Sequence, residues 1–289
     1  MRSENLQGAL FMAMAMAAFT LNDVFMKLAG ATIPLAQVVF LRGIITTLGL
    51  VVLCQIFRAW PRGLARREWA LIVGRALSES FAAYFFLTAL FNMPIASATA
   101  ILQLLPLVLT LVGALFLRET VGWAQWGAIC LGFAGVLLII QPGGASFSVY
   151  GLYALIAVIG MTLRDVFTRQ LAPDTPSLFV TLVSSAVIGG LFGIGSLAVT
   201  WTPIAGPAAW YLFGAAAVVL FAYLFAVIAV RLGEIAFVTP FRYVEVPVAL
   251  LAGLLVFGER LNSLALIGVL VVVLAGLYSF ARERATSRS

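Results

Sequence analysis

The sequence predicts an all-α integral membrane protein with ten transmembrane helices arranged as two inverted five-helix repeats. Three observations predict this fold: an apolar composition, ten apolar runs of membrane-spanning length, and an internal sequence repeat. Hydrophobic residues make up 63% of the 289 residues and charged residues only 10%, against about a quarter charged in a typical soluble domain. Too few polar residues remain to give every helix a water-facing side, so lipid is the expected solvent for most of the surface.

A membrane-spanning helix needs about 20 mostly apolar residues. The first apolar run is as long as a full span, and we interpret it as an uncleaved transmembrane helix rather than a signal peptide. Proline, glycine and asparagine separate the runs, as in Asn92-Met93-Pro94. The ten predicted spans cover approximately 7–27, 34–57, 69–91, 95–117, 122–141, 149–171, 177–199, 207–230, 236–257 and 263–281.

The net charge of +6 comes from positive residues in short loops, which favours a role in membrane topology over nucleic-acid binding. With ten spans, Lys27 and Arg260 fall on one side of the membrane and twelve arginines on the other. This bias predicts that both termini are cytoplasmic, in a bacterial inner membrane. The twelve are Arg2, Arg58, Arg62, Arg66, Arg67, Arg118, Arg164, Arg169, Arg231, Arg282, Arg284 and Arg288.

The internal repeat relates residues 20–27, with the sequence TLNDVFMK, to residues 162–169, with the sequence TLRDVFTR. Pro34 matches Pro176 in the same register. The predicted halves are residues 1–141 and 149–284, each with five spans. Because five is odd, the second half enters the membrane from the opposite side, which is typical of secondary transporters with alternating access.

Each half ends in a helical hairpin with a glutamate at its tip, Glu119 or Glu259, followed by a glycine-rich last helix. The stretch 115–140 (LFLRETVGWAQWGAICLGFAGVLLII), and residues 233–236 (GEIA) leading into 240–243 (PFRY), resemble the EamA family of the drug/metabolite transporter superfamily. The second hairpin departs from the first, with Gly258 and Arg260 in place of Arg118 and Thr120.

This resemblance implies a secondary transporter that moves a small organic metabolite by alternating access. Riboflavin, an S-adenosylmethionine-like metabolite or an amino acid is the implied substrate, and import and export are both compatible with it. A central cavity between the halves, lined by the third, fourth, eighth and ninth spans, is also implied. No cofactor is expected, and we expect a monomer to be the functional unit.

Five ionisable residues are predicted to lie about 9–15 Å into their helices, near the membrane midplane: Arg42, Arg75, Glu79, Arg242 and Glu245. Buried charges in a bilayer are costly and normally face the interior of the bundle, so we predict a substrate cavity here. Their summed charge of +1 favours a substrate with an acidic or electron-rich group. The alternative is that Arg75–Glu79 and Arg242–Glu245 are neutralised pairs that only hold helices together.

Two repeat-related pairs, Asp23–Lys27 and Asp165–Arg169, have a spacing of four residues and lie near opposite membrane faces. We predict that each pair closes a gate on its own side or takes part in coupling. Ordinary snorkelling of a long cationic side chain at a helix end is the alternative for Lys27 and Arg169.

Pro106 and Pro247 fall inside the fourth and ninth predicted spans, where proline frees a backbone carbonyl. Matched helix breaks point to a binding site, with Gln103 and Tyr243 about one turn earlier as polar ligands. Simple helix curvature is the alternative. Tyr84, in a run that also holds Phe81, Phe85 and Phe86, is a candidate to stack on substrate, although these aromatic side chains could instead face lipid.

A membrane-embedded enzyme acting on a lipid or lipophilic substrate is the alternative function. The sequence has no histidine, no paired Asp-x-x-x-Asp and no Gly-x-Ser-x-Gly motif, and its cysteines show no metal-ligand spacing, so we expect no catalytic or metal site. With Lys27 as its only lysine it has no P-loop. If transport is proton-coupled, the candidate carboxylates are Asp23, Glu79, Asp165 and Glu245.

Overall fold

The computed structural model describes residues 2–116, 122–143, 147–232 and 234–286. Ten of the helices in these ranges, counting interrupted ones as single spans, are long and apolar enough to cross a membrane, which confirms the predicted number. The elements are α1 (Arg2–Gly30), α2 (Leu35–Ile56), α3 (Arg66–Asn92), α4 (Ile95–Leu102), α5 (Leu105–Phe116), α6 (Trp123–Ile140), α7 (Val149–Arg169), α8 (Ser177–Ser196), α9 (Ala208–Leu232), α10 (Ile235–Val238), a 3₁₀ turn (Thr239–Val244), α11 (Glu245–Phe257) and α12 (Ser263–Thr286).

Two of the ten spans are interrupted. The fourth span consists of α4 and α5, and the ninth consists of α10, the 3₁₀ turn and α11. Pro106 is the second residue of α5 and Pro247 the third residue of α11, so each proline follows its interruption directly. A proline near a helix start removes no intrahelical hydrogen bond, because the first backbone N–H groups of a helix have no partner within it. The polar residues Gln103 and Tyr243 lie in the interruptions themselves.

The helices pack in pairs that cross between the predicted halves. Helix α1 packs mainly on α9, α3 on α7, α2 on α8, and α6 on α12. In terms of spans these pairs are first with eighth, third with sixth, second with seventh, and fifth with tenth. Exchanging the two halves turns each pair into one of the same set, as expected for two halves with the same internal arrangement.

The outer surface of the bundle carries large apolar side chains, and glycines stand where α6 and α12 cross. Leu48, Trp210 and Leu255 are 62%, 74% and 78% exposed, as suits side chains in contact with lipid. At the crossing of α6 and α12, a Cβ on Gly135 would lie 2.9 Å from the backbone oxygen of Gly268. Only glycine permits this approach, which is typical of transmembrane helix packing.

Candidate functional site

A cavity of about 210 Å³ lies between the helices and is lined by seven of the ten spans. The third, fourth, eighth and ninth spans, which the family resemblance implied, all contribute to its wall. The first, sixth and tenth spans line it as well, so residues from both predicted halves meet there. The lining residues are Met16, Phe19, Asp23, Glu79, Phe86, Leu102, Gln103, Leu105, Pro106, Met161, Arg164, Tyr223, Arg242, Tyr243, Glu245 and Phe280.

Four charged residues neutralise each other beside the cavity, and we call them the paired cluster: Arg75, Glu79, Arg164 and Asp165. Glu79 and Arg164 line the cavity itself. Arg75 Nη1 binds Glu79 Oε2 at 2.8 Å within α3. Arg164 of α7 lies 2.9 Å from Asp165 Oδ1 and 3.5 Å from Glu79 Oε1. These ion pairs connect α3 with α7, so part of the cluster is the helix-holding arrangement considered as the alternative from sequence.

Hydrogen bonds to neutral groups complete the paired cluster. Arg75 donates through Nε to Thr168 Oγ1 at 3.0 Å and through Nη1 to Ser184 Oγ. Thr168 lies on α7 and Ser184 on α8, so Arg75 joins three helices. Since every one of the four charges has an opposite charge in contact, the cluster satisfies the demand that a bilayer places on buried ions.

Arg164 was wrongly counted from sequence among the loop arginines that set the membrane topology. The structure places it within α7, five residues before the helix end, with its side chain on the cavity. The five ionisable residues predicted for the midplane are thus accompanied by Arg164, Asp23 and Asp165. The eight charges cancel, so the net charge of +1 that favoured an acidic substrate does not describe the site.

A second group of four charged residues, which we call the amide-held cluster, consists of Asp23, Arg42, Arg242 and Glu245. Asn22 Nδ2 donates to Asp23 Oδ1 at 2.9 Å, and Gln103 Nε2 donates to Glu245 Oε2 at 3.0 Å. Asp23 interacts electrostatically with Glu245 and Arg42, and Glu245 does so with Arg242. Asp23, Arg242 and Glu245 line the cavity.

The two arginines of this cluster lack the ion pairs that the paired cluster has. Within the described part of the chain, neither Arg42 nor Arg242 forms an ion pair with a carboxylate. Arg42 Nε is buried and has no hydrogen-bond partner among the described residues. The predicted Arg242–Glu245 pair is therefore close in space but not in contact, because the amide of Gln103 holds the carboxylate instead.

Two tyrosines, Tyr223 and Tyr243, line the cavity. Tyr243 is only 4% exposed, and its hydroxyl has no hydrogen-bond partner among the described residues. This hydroxyl contacts α12 at the point where a Cβ of Gly276 would stand, so glycine is required there. Tyr223 of α9 was missed from sequence, although it is a polar residue in a very apolar helix; its ring packs edge-on against Phe19 at 5.5 Å.

Tyr84, predicted from sequence to line the substrate cavity, lies elsewhere. Its side chain is 48% exposed and faces a groove between α2, α3 and α8 on the outside of the bundle. Phe81 lines the same groove, whereas Phe86 is buried and faces the cavity. The helical period of 3.6 residues explains the correction, because residues 84 and 86 of one helix point in widely different directions.

Lys27 and Glu259 form an ion pair at one end of the bundle, which we call the latch. Lys27 Nζ lies 2.6 Å from Glu259 Oε1 and donates to the Met93 carbonyl at 2.5 Å. Glu259 Oε2 accepts from the Ile95 backbone N–H at 2.8 Å, at the start of α4 where the helix dipole favours a negative charge. The latch joins α1, the α3–α4 turn and the α11–α12 turn.

The local sequence around Glu259 positions its carboxylate. Gly258 ends α11 in the left-handed conformation (φ 64°), and the Glu259 N–H donates back to the Gly253 carbonyl at 2.9 Å. A Cβ on Gly253 would lie 3.0 Å from Glu259 Oε2, so the absence of a side chain there leaves room for the carboxylate. The glycine-for-arginine departure noted in the second hairpin is thus part of a helix cap.

The predicted pairs Asp23–Lys27 and Asp165–Arg169 are not formed in the structure. Lys27 binds Glu259, while Asp23 faces the cavity with Asn22 as its donor. Asp165 binds Arg164, and Arg169 is exposed at the opposite end of the bundle. Glu259 thus takes the place of Asp23 as the partner of Lys27, and Arg164 takes the place of Arg169 as the partner of Asp165. Arg118, Glu119 and Thr120 of the first hairpin lie outside the described residues, as does Gly233.

Known proteins resemble this chain along most of its length. It is 23% identical to the S-adenosylmethionine uptake transporter of Rickettsia felis, covering 92% of this chain and 90% of that protein. It is 27% identical to the riboflavin transporter of Rhizobium johnstonii, covering 97% and 93% respectively. The pseudopaline exporter CntI of Pseudomonas aeruginosa is 26% identical over 57% of each chain.

A crystal structure of a protein that is 17% identical superimposes with a TM-score of 0.65, covering 96% of this chain and 98% of the other, which supports the fold alone. The EamA-like transporter family matches the sequence twice, over residues 6–141 and 149–280. These two matches together take in all ten spans and both sides of the central cavity. The chain belongs to the EamA-like transporter family, and it is a multi-pass membrane protein that transports a metabolite.

Proposed function

We propose that this protein carries a small organic metabolite across a bacterial inner membrane by alternating access, without changing it chemically. The observation that carries the proposal is a cavity inside the bundle that is lined by charged residues from both predicted halves, with the latch as an ion pair between helices at one end. A transporter must expose one site to each side in turn, and a closed end next to a buried site is one half of that cycle.

The orientation follows from the distribution of positive residues. Even without Arg164, arginines are far more numerous at the Arg169 end than at the Lys27 end. By the positive-inside rule the Arg169 end and both termini are cytoplasmic, and the latch closes the outer, periplasmic side. In this proposal the carrier is shut towards the periplasm when Lys27 and Glu259 are paired.

Relatives named as transporters of S-adenosylmethionine and riboflavin make these two compounds the first candidates, with amino acids as the third. Relatives are named for both uptake and export, so the direction is part of the test. The purified protein should be reconstituted in liposomes and offered each compound from either side, with accumulation measured by mass spectrometry. Movement of an unmodified compound, absent from protein-free liposomes, is the expected result.

The same experiment separates the proposal from the alternative of a membrane-embedded enzyme. An enzyme would convert a lipid or lipophilic compound without moving a solute, so product formation with no accumulation of any solute would overturn the proposal. Family membership and the names of the relatives favour transport.

Proton coupling would require a buried carboxylate that gains and releases a proton during the cycle. Asp23, Glu79 and Glu245 line the cavity, whereas Asp165 is bound to Arg164. Of these, Glu79 has two arginines in contact, so we propose Asp23 and Glu245 as the coupling residues. Uptake driven by an imposed pH gradient, and lost in Asp23→Asn or Glu245→Gln, is the expected result.

We propose that the Lys27–Glu259 ion pair, rather than Asp23–Lys27, closes the gate on the outer side. In Glu259→Gln the ion pair is lost and the Ile95 N–H keeps an acceptor, so the outer end should open more often. A cysteine at Leu102 on the cavity wall, with Cys54 and Cys130 replaced by alanine, reports this opening. Its labelling by a membrane-impermeant maleimide from the Lys27 end should become about tenfold faster, since a charge-assisted hydrogen bond is worth 1–2 kcal/mol or more.

Glu68→Gln is the matched control, because Glu68 also accepts from a backbone N–H, that of Ala65, but at the opposite end of the bundle. Labelling from the Lys27 end should be unchanged in that variant. If Glu259→Gln leaves the labelling rate at the wild-type value, Lys27 and Glu259 hold helices together without gating the cavity.

A further inference from the structure

The two clusters differ in whether their arginines form ion pairs with carboxylates. The paired cluster has each of its arginines bound to a carboxylate, at 2.8 Å for Arg75 and 2.9 Å for Arg164. In the amide-held cluster both carboxylates are bound by amides instead, and both arginines remain without an ion pair among the described residues. Asp23, Arg242 and Glu245 thus line the cavity without an ion pair between them, and Arg42 stands close to Asp23 behind the wall.

Such an arrangement is costly unless a ligand completes it. An isolated guanidinium in a region of low dielectric pays a desolvation penalty that only an opposite charge and hydrogen bonds repay. Asp23 and Glu245 are like charges close enough to interact, so a cation between them would relieve their repulsion. A ligand with one charge only would satisfy one of these demands and worsen the other.

We propose that the amide-held cluster binds a compact zwitterion, with the anionic group of the ligand against Arg242 and its cationic group between Asp23 and Glu245. Arg42 supplies a second positive charge near Asp23, and the buried Tyr243 hydroxyl has no hydrogen-bond partner among the described residues. This assignment rests on the proposed transport function and names the class of substrate for the same cavity.

The walls and volume of the cavity restrict the rest of the ligand. The side chains that are not ionic are largely aromatic or thioether groups, including Phe19, Phe86, Phe280 and Met161. These favour an apolar body on the zwitterion. The volume of about 210 Å³ is below the range of about 300–1,000 Å³ for pockets that hold drug-sized ligands. A molecule the size of a single amino acid fits this description better than a dinucleotide or a flavin.

The test is a thermal-shift measurement on the purified full-length protein, with the standard L-amino acids as probes. A ligand that binds only the folded protein raises its melting temperature. For each amino acid that gives a shift, the amine that lacks the carboxylate and the acid that lacks the ammonium are then measured at the same concentration. We expect a shift with at least one amino acid and a much smaller shift with either single-charge analogue.

Variants assign the two ends of the ligand. Arg242→Gln should weaken binding of the zwitterion about 10- to 100-fold, because it removes a charge-assisted contact in a desolvated site. It should leave binding of the amine-only analogue nearly unchanged. Asp23→Asn and Glu245→Gln should show the reverse dependence, losing the zwitterion while tolerating the acid-only analogue. Arg42→Gln should have the same sign as Arg242→Gln and a smaller size, since Arg42 is not part of the cavity wall.

Arg67→Gln is the control for loss of a positive charge, because Arg67 is exposed at the start of α3. It should bind as the wild type does. Failure of every amino acid to shift the melting temperature, or equal shifts with a single-charge analogue, would overturn the zwitterion assignment. A liposome assay that still shows metabolite movement would in that case leave the transport function standing, so the two proposals fail separately.

Discussion

The two ionic clusters of the cavity have the same composition and opposite states. Each has two arginines and two carboxylates, but in the paired cluster the arginines bind the carboxylates, and in the amide-held cluster amides take their place. Arg75 and Arg164 therefore hold α3, α7 and α8 together. Arg42 and Arg242 form no ion pair among the described residues, and in our proposal their partner is the ligand.

The difference shows that charge in a membrane protein cannot be assigned to structure or function by residue type and depth alone. Arg75 and Arg242 both lie about 9 Å into their predicted spans. What separates them is the geometry of their neighbours, since Glu79 reaches Arg75 across one helical turn while Glu245 is turned towards Gln103. Variants that alter one cluster and leave the other intact therefore test whether the two differ in stability and in binding.

The largest effect is expected from Arg164→Met, which removes the centre of the paired cluster. Asp165 would lose its ion-pair partner and Glu79 one of two, leaving buried negative charge uncompensated. Breaking a buried ion pair in this way costs about 3–5 kcal/mol. The free energy of unfolding, measured by titration with SDS from mixed micelles, should fall by that amount.

Arg242→Met in the amide-held cluster is the matched comparison. It removes an arginine that has no ion pair among the described residues, so unfolding should change by less than about 1 kcal/mol. Equal losses of stability in the two variants would show that the clusters do not differ in the way the structure indicates.

A smaller effect is expected from Gln103→Met, which should convert the amide-held cluster towards a paired one. Without the donor at 3.0 Å, Glu245 is free to turn to Arg242, with which it already interacts electrostatically. Arg242 and Glu245 would then bind each other and neither would be available to the ligand. Binding of the zwitterion should therefore weaken about tenfold. Isothermal titration of the detergent-solubilised protein measures this change.

Ser184→Ala is the control for Gln103→Met, because Ser184 Oγ is the neutral partner of Arg75 in the paired cluster. Zwitterion affinity should stay within about twofold of the wild type, since Arg75 keeps Glu79 and Thr168. A comparable loss of affinity in both variants would mean that binding depends on the whole polar interior and not on one cluster.

The fold was predictable because its determinants are long and repeated along the sequence. A hydropathy signal integrates over about 20 residues, so ten spans emerge with ends within a few residues of those in the structure. The Arg75–Glu79 pair was also predictable, because its partners are four residues apart on one helix. Pro106 and Pro247 indicated where the fourth and ninth spans are interrupted.

The rest depended on contacts between helices, for which a single sequence has no local signal. Lys27 and Glu259 are 232 residues apart, and only the recurrence of glutamate in both hairpin tips pointed to Glu259. Arg164 was misassigned because a positive residue near a helix end resembles a topological one; its repeat-equivalent, the polar Asn22, was the available clue. Tyr84 was misplaced because the sequence shows which residues share a helix face but not which face meets the cavity.

The smallest effect is expected from Tyr243→Phe, which separates stability from binding at one atom. The Tyr243 hydroxyl is buried against Gly276 with no hydrogen-bond partner in the described part of the chain, and its ring also packs edge-on against Phe280 at 6.2 Å. Phenylalanine keeps the ring and removes the unsatisfied group, so the free energy of unfolding should stay equal or rise by up to about 1 kcal/mol.

If the hydroxyl donates to the anionic end of the ligand, affinity for the zwitterion should fall about three- to tenfold, and affinity for the amine-only analogue should not change. A variant that is both more stable and weaker in binding would show that this hydroxyl is kept for the ligand, whereas unchanged affinity would confine the anionic site to the two arginines.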